Sequence, residues 1–366
     1  MPLPTRRPRV LVVADGFGQL SPHEAADAVA EGWSRQAPHV DVEAHASHAG
    51  GAGFVDVAAR GRDATTHPVV VPGPLGAEVP AALTVVSTRG GDTAYLDSAQ
   101  VAGRHLVAQD QLADPARMSS AGLGRLLTLA RETGAERIVV GVGALACHDG
   151  GAGLLRELGA GEDLTDLPRV RREWADVNLV LVTDTEATLL GFHGASARLT
   201  EHHGVAPAVS QRLEGELGEL TDVVNRILPP STDLLTGLAR RPERELGAGA
   251  GGGVGYALQL LGARTDTGAR FLLDELGLRE RLPRALLVLV SDAYDSLTVH
   301  EGVVADTARA ALETATPTVV LAREVAVGRR EGMSLGISGS YAVREGESPG
   351  DLAARVARTW TPAPRA

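Results

Sequence analysis

The sequence has no lysine: all 35 of its basic side chains are arginine. That absence removes the Schiff base, the lysine general base and the lysine of a GxxxxGK[ST] phosphate loop from the chemistry open to the chain. A single cysteine, Cys147, excludes an internal disulfide and fits a reducing cytoplasm. Aromatics are only 3% of the residues, so the cores must be packed from Ala, Val and Leu. No apolar run approaches the roughly 18 residues of a membrane span. The first such run, residues 10–14, is closed by Asp15 and is too short for a signal peptide, so the chain reads as a soluble cytoplasmic protein without a membrane partner. Positive charge is also in deficit. A net charge of -11 argues against general nucleic-acid binding, which needs a basic face to displace counterions.

What is present is enough chain for two domains: 366 residues, 44% of them hydrophobic. VLVVA (10–14) reads as a short buried strand. Ser21, Pro22 and Glu24 then form a capping box with proline at the first helical position, followed by Ala25, Val29 and Trp33 at helical spacing. Residues 40–46 alternate like a strand and VDVAARG is helix-like, giving two βα units in the first sixty residues. From about residue 65, strand-like runs separated by Gly and Pro point to antiparallel or mixed pairing. Residues 138–159, IVVGVGALACHDGGAGLLRELG, hold a buried strand, a glycine-lined turn and a helix start ending at Gly159. NLVLVT (178–183) is a strand ended by Asp184, and residues 207–228 form a striped helix stopped by Pro229 and Pro230. RALLVLVSD (284–292), TPTVVLARE (316–324) and GISGSYAV (336–343) restore βα character. The pattern predicts an α/β chain: a discontinuous flavodoxin-like domain, 1–64 with 284–366, interrupted by a central α/β domain, 65–283.

Asp15, Asp149, Asp184 and Asp292 fall at or just past the ends of expected strands, with Asp295 three residues farther on. Carboxylates at such an edge suit Mg²⁺ held beside substrate phosphates, or a base that takes a hydroxyl proton; each equally suits a cap on the following helix. The glycines of 247–255, among them Gly249, Gly251, Gly252 and Gly253, either wrap a phosphate or let two segments pack closely. GVGALA (141–146) matches GxGxxA weakly, because the helix begins only beyond Gly151 and no strand-borne acid follows at the required spacing. His45 and His48 are spaced HxxH and His202 and His203 are adjacent, but neither pair has a supporting cluster, so no resident metal site is assigned. Cys147 beside His148 is open to a nucleophile or to a buried small hydrophobe.

In their order these motifs resemble bacterial type-1 glycerate kinases over nearly the whole chain. GVGALACHDGGAG (141–153) stands where the family has GIGGSATNDGGAG, and GAGAGGGVG (247–255) where it has GAGAAGGLG. VLVVADGFGQLSPHEAADAV (10–29), VTDTEATLLGFHGA (182–195) and VSDAYDSLTVHEG (290–302) match less closely. The resemblance implies the two-domain type-1 fold, ATP with Mg²⁺, and phosphorylation of glycerate or a related small hydroxy acid. It implies catalytic roles for Asp149, Asp184 and Asp295. It also implies substrate or phosphate contacts from Asp15, Ser21, Gly150, Gly151, the glycines of the 247–255 loop and His300.

The departures from the family pattern fall on polar positions. The lysine of DSFKGSLS is Gly18; ADGGEGT has become AGGAGF (49–54), losing acids at Ala49 and Ala52 and a hydroxyl at Phe54. Leu145, Cys147 and His148 replace a serine, a threonine and an asparagine, and Ala187 replaces the asparagine of CDVDNPL. TGEGRLDGQTLHGK is reduced to VSDAYDSLTVHEG, keeping Asp295, Thr298 and His300 without the GEG turn or the final lysine. Phosphoryl transfer rests on positioning and charge neutralisation, so these losses leave two expectations open. One is a kinase of impaired or altered activity, and the other is a non-catalytic ligand-binding or partner protein on the same fold.

Overall fold

The computed structural model describes residues 7–229, 237 and 241–361; Pro230 lies outside them. Its strands are β1 (Arg9–Ala14), β2 (Asp41–Ala46), β3 (Ala64–Pro72), β4 (Glu78–Thr88), β5 (Gly91–Asp97), β6 (Arg137–Val142), β7 (Asn178–Thr183), β8 (Arg264–Thr267), β9 (Ala285–Tyr294), β10 (Thr318–Val325) and β11 (Ile337–Ala342). The chain divides into two compact units, residues 1–49 with 268–366, and residues 50–267. Both divisions fall earlier in the chain than 64/65 and 283/284, for two reasons of packing. The helix Phe54–Ala59 packs on β4 and β5 of the central unit, and the helix Gly268–Glu275 packs on Gly302–Glu313 of the other.

The discontinuous unit is a parallel sheet in the order β11-β10-β9-β1-β2. Counted within the unit, that is the flavodoxin-like order 2-1-3-4-5. Successive residues of β1 bury on opposite faces. Val10, Val12 and Ala14 pack with Ala25, Val29 and Trp33, while Leu11 and Val13 pack with Leu273, Leu287 and Val304. Both faces are therefore covered, which is why the strand reads as an unbroken apolar run. The first helix, Pro22–Gln36, starts on the expected capping box of Ser21 and Glu24. A second box, Ser348 with Asp351, opens the helix Pro349–Trp360. These two helices pack closely where Gly32 meets Gly350: a Cβ on Gly32 would enter the Gly350 backbone. Small residues thus do the packing that aromatics would otherwise do.

The central unit is a six-stranded mixed sheet, β3-β4-β5-β6-β7-β8. β3, β4 and β5 are antiparallel, and β5 through β8 run parallel. β3 forms the edge and carries Pro68, whose missing N–H is tolerated there. β6 and β7 are buried along their length apart from their first residues. Beyond β6 the anticipated helix is a single turn, Ala152–Leu155. It runs into a wider turn, Arg156–Ala160, in which Gly159 leaves helical geometry at φ 92°. The helix Pro207–Ile227 buries Leu213, Leu217 and Val224 along the expected stripe.

Candidate functional site

At the carboxyl edge of the central sheet, residues 50–53 cross the ends of β5, β6 and β7. The Gly53 N–H donates to Asp97 Oδ2 at 3.1 Å, and the other oxygen of Asp97 accepts from Ala99 N at 2.9 Å. The loop is thereby fixed to the end of β5. Farther along, a Cβ on Gly50 would lie 2.6 Å from the Thr183 carbonyl carbon. One on Gly51 would lie 3.0 Å from Asp184 Oδ2, and one on Gly143 would lie 2.9 Å from the same oxygen. Gly50 and Gly143 have no room for a side chain, and one on Gly51 would press on the Asp184 carboxylate. The Asp184 carboxylate therefore lies close against the backbone of Gly51 and Gly143. Phe54, at the family's hydroxyl position, is fully buried and tilted against Tyr95 with ring centroids 6.5 Å apart.

Asp149 has a different place from the strand end expected for it, because β6 stops at Val142 and a long turn intervenes. Its Oδ2 accepts from Ser120 N (2.9 Å), Ser120 Oγ (2.9 Å) and Gly153 N (3.1 Å), and its Oδ1 accepts from Gly151 N (3.0 Å). Ser120 Oγ also receives Leu154 N at 2.9 Å. The carboxylate ties the turn to the start of the helix Ala121–Glu132, and both of its oxygens are engaged in doing so.

The two glycine runs realise the close-packing alternative. Gly150 N donates to Gly252 O at 3.0 Å. A Cβ on Gly253 would lie 2.5 Å from Gly150 Cα, one on Gly251 would lie 2.7 Å from Leu145 Cδ1, and one on Gly252 would enter the Cys147 carbonyl. Gly150, Gly151, Gly251, Gly252 and Gly253 all have positive φ. Gly249 donates to Ala187 O at 2.9 Å, joining the same block to the loop after Asp184.

Cys147 and His148 face inward. Burial and the Asp149 charge push the Cys147 thiol up, so it is an inert buried group. His148 Nε2 lies 2.9 Å from Ser196 Oγ, and burial lowers its pKa to about 4, so it is neutral at pH 7. Neither residue has the exposure a nucleophile and its base require.

The discontinuous unit holds the other acids. Asp15 follows β1, half-buried, with no hydrogen bond or ion pair from its carboxylate among the described residues. Burial raises its pKa to about 7. Asp292 lies within β9 rather than past it, and accepts Arg323 Nε at 2.8 Å, Arg323 Nη2 at 2.9 Å and Gly18 N at 2.8 Å. The Arg323 bonds chiefly, with Gly18 N–H, hold it below the usual carboxylate range. Asp295 is a local turn former whose Oδ1 accepts Leu297 N, Thr298 N and Thr298 Oγ1 at 3.0, 3.0 and 3.1 Å. Ser21 is spent on its cap, with Oγ 2.7 Å from Glu24 Oε2. His300 is exposed, and its carbonyl accepts Arg309 Nη2 at 2.7 Å.

Sequence reasoning missed Asp97, Ser120 and Arg323. TAYLD shows Asp97 ending a strand, and that signal was available. The partners of Ser120 and Arg323 lie 29 and 31 residues away, and no local pattern announces them.

The fold is that of a two-unit α/β protein, one unit with the flavodoxin-like strand order, whose kind carries its ligand sites at the carboxyl edges of its sheets. The model of the Glycerate kinase family matches residues 10–361, and the chain belongs to that family. An uncharacterized protein of Mycobacterium bovis is 35% identical over 340 residues, covering 92% of this chain and 84% of that one. The glycerate 2-kinase of Escherichia coli K12 is 27% identical over 313 residues, 80% and 79% of the two chains. The glycerate kinase of Bacillus subtilis is 27% identical over 362 residues, 93% and 91%. A crystal structure of a Salmonella typhimurium LT2 protein described as glycerate kinase 2 superposes with a TM-score of 0.74 at 24% identity. It covers 97% of this chain and 98% of that one, a likeness of fold. Among the described residues no helix is long and apolar enough to cross a membrane.

Proposed function

We propose that the protein transfers the γ-phosphoryl group of ATP to a hydroxyl of glycerate or a related small hydroxy acid, with a reacting set narrower than the family pattern implies. The observation that carries this reading is Asp15, a half-buried carboxylate at the end of β1 with no partner among the described residues, whose pKa is raised to about 7. A general base works best with a pKa near the working pH. Asp15 takes the hydroxyl proton as the hydroxyl oxygen bonds to the γ-phosphorus and the bond from that phosphorus to the ADP oxygen breaks.

Asp184 is the residue of the central unit that would hold Mg²⁺, which takes hard oxygen ligands and in kinases needs only one or two carboxylates beside the phosphates. Held there, the ion would supply charge neutralisation to phosphate oxygens bound at the edge of the central sheet. Asp149, Ser21 and Asp295 shape turns and helix starts in this reading and take no proton. Their engagement in local bonds also favours a second reading, a protein that binds nucleotide or acid without turnover.

Steady-state phosphorylation of glycerate across pH separates the two. The kinase reading expects kcat/KM to fall tenfold per pH unit below about 7, as base protonation requires, and Asp15→Asn to cost about 10²- to 10⁴-fold and abolish that limb. Wild-type protein that binds nucleotide with no turnover of any small hydroxy acid would establish the second reading instead.

A further inference from the structure

In the flavodoxin-like order the crevice at the carboxyl edge opens between β1 and β9, where successive connections leave in opposite directions. Three groups meet there. The loop after β1 sends the Gly18 N–H to Asp292 Oδ1 at 2.8 Å, spanning from β1 to β9. From β10, Arg323 grips both oxygens of Asp292, Nε at 2.8 Å and Nη2 at 2.9 Å. The fork uses one edge of the guanidinium. Nη1 has no hydrogen-bond partner among the described residues, and the side chain is 51% exposed.

We propose that Arg323 is the cation that receives the phosphate chain of the nucleotide in this unit, in place of the lysine that the resemblance leads one to expect at position 18. The inference rests on the kinase reading above. Gly18 has φ 62° and open space where a side chain would stand. A guanidinium held on one edge by a carboxylate is pre-oriented, and its remaining N–H groups present planar donors to a phosphate oxygen. Asp292 thus acts as a positioning residue: it fixes the direction of Arg323 and, through Gly18, the course of the loop that begins at Asp15.

Calorimetric titration of the full chain with Mg²⁺–ATP and, separately, with adenosine tests this. Loss of one charge-assisted bond is worth about tenfold to a hundredfold in affinity. Arg323→Gln is expected to weaken ATP by that factor and leave adenosine unchanged, with an unaltered circular dichroism spectrum. Arg323→Lys, which keeps charge without the fork, should fall between. Asp292→Asn should cost less than Arg323→Gln because the cation remains. Equal losses for ATP and adenosine would mean that Arg323 only supports the fold, and unchanged ATP affinity would mean that it does not meet phosphate; either overturns the proposal while leaving the kinase reading intact. A wild-type protein that binds no nucleotide would overturn both.

Discussion

Asp15 and His148 are buried to similar effect but opposite sign, and pH tells them apart. Native Asp15 keeps its proton up to about pH 7, whereas an unperturbed aspartate releases it near 3.8. Between those values folding takes up a proton, so this group's contribution to stability is present in full below 3.8 and is lost as pH rises through 7. Asp15→Asn should therefore gain stability over wild type at pH 8 and little at pH 4, as read by urea midpoints at the two pH values. His148 runs the other way. Its pKa falls from 6.5 to about 4, so the unfolded chain binds more protons below 6.5 and stability is lost as pH drops toward 4. His148→Asn should flatten that acid limb in the same titration, and an unchanged limb would contradict the assignment of a buried neutral imidazole.

At the scale of elements, the turn between β6 and the helix Ala152–Leu155 is tied together by Asp149. Its four bonds join residues 120, 151 and 153 across a gap that no secondary structure spans. Asp149→Ala is expected to cost about 2–4 kcal/mol, a charged cap and its backbone donors together, while Asp149→Asn should cost less because the shape and part of the bonding survive. Equilibrium denaturation of both variants checks this ordering. The glycine block opposite makes a companion case. Gly252→Ala places a methyl against the Cys147 carbonyl at a left-handed backbone position, so both overpacking and backbone strain oppose it, at roughly 1–3 kcal/mol or more. If that variant were as stable as wild type, the two runs would not be interlocked as described.

For the whole molecule, the parallel strands were the most legible feature. VLVVA, NLVLVT and LLVLV are continuous apolar runs because both faces of their sheets are covered, and β7 begins and ends where its sequence does. β8 was invisible: RTDT is four residues, all polar, and a strand only through its pairing with β7. The Ser348-Pro349-Gly350-Asp351 start repeats the logic of Ser21-Pro22-His23-Glu24, a capping box with proline at the first helical position. The site was harder to read than the fold. Residue type and strand position marked Asp15, Asp149, Asp184 and Asp292 alike as edge carboxylates. Only tertiary contacts separate Asp15, without a partner among the described residues, from Asp149 and Asp292, which are engaged by Ser120 and Arg323. The most direct test of the kinase reading is the rate of ADP formation from ATP in the presence of glycerate, measured for wild type and Asp15→Asn between pH 5 and 9. The account predicts glycerate-dependent turnover that rises through an apparent pKa near 7 in wild type and is lost in the variant. Turnover that is absent from wild type, or equal in the two proteins at every pH, would contradict it.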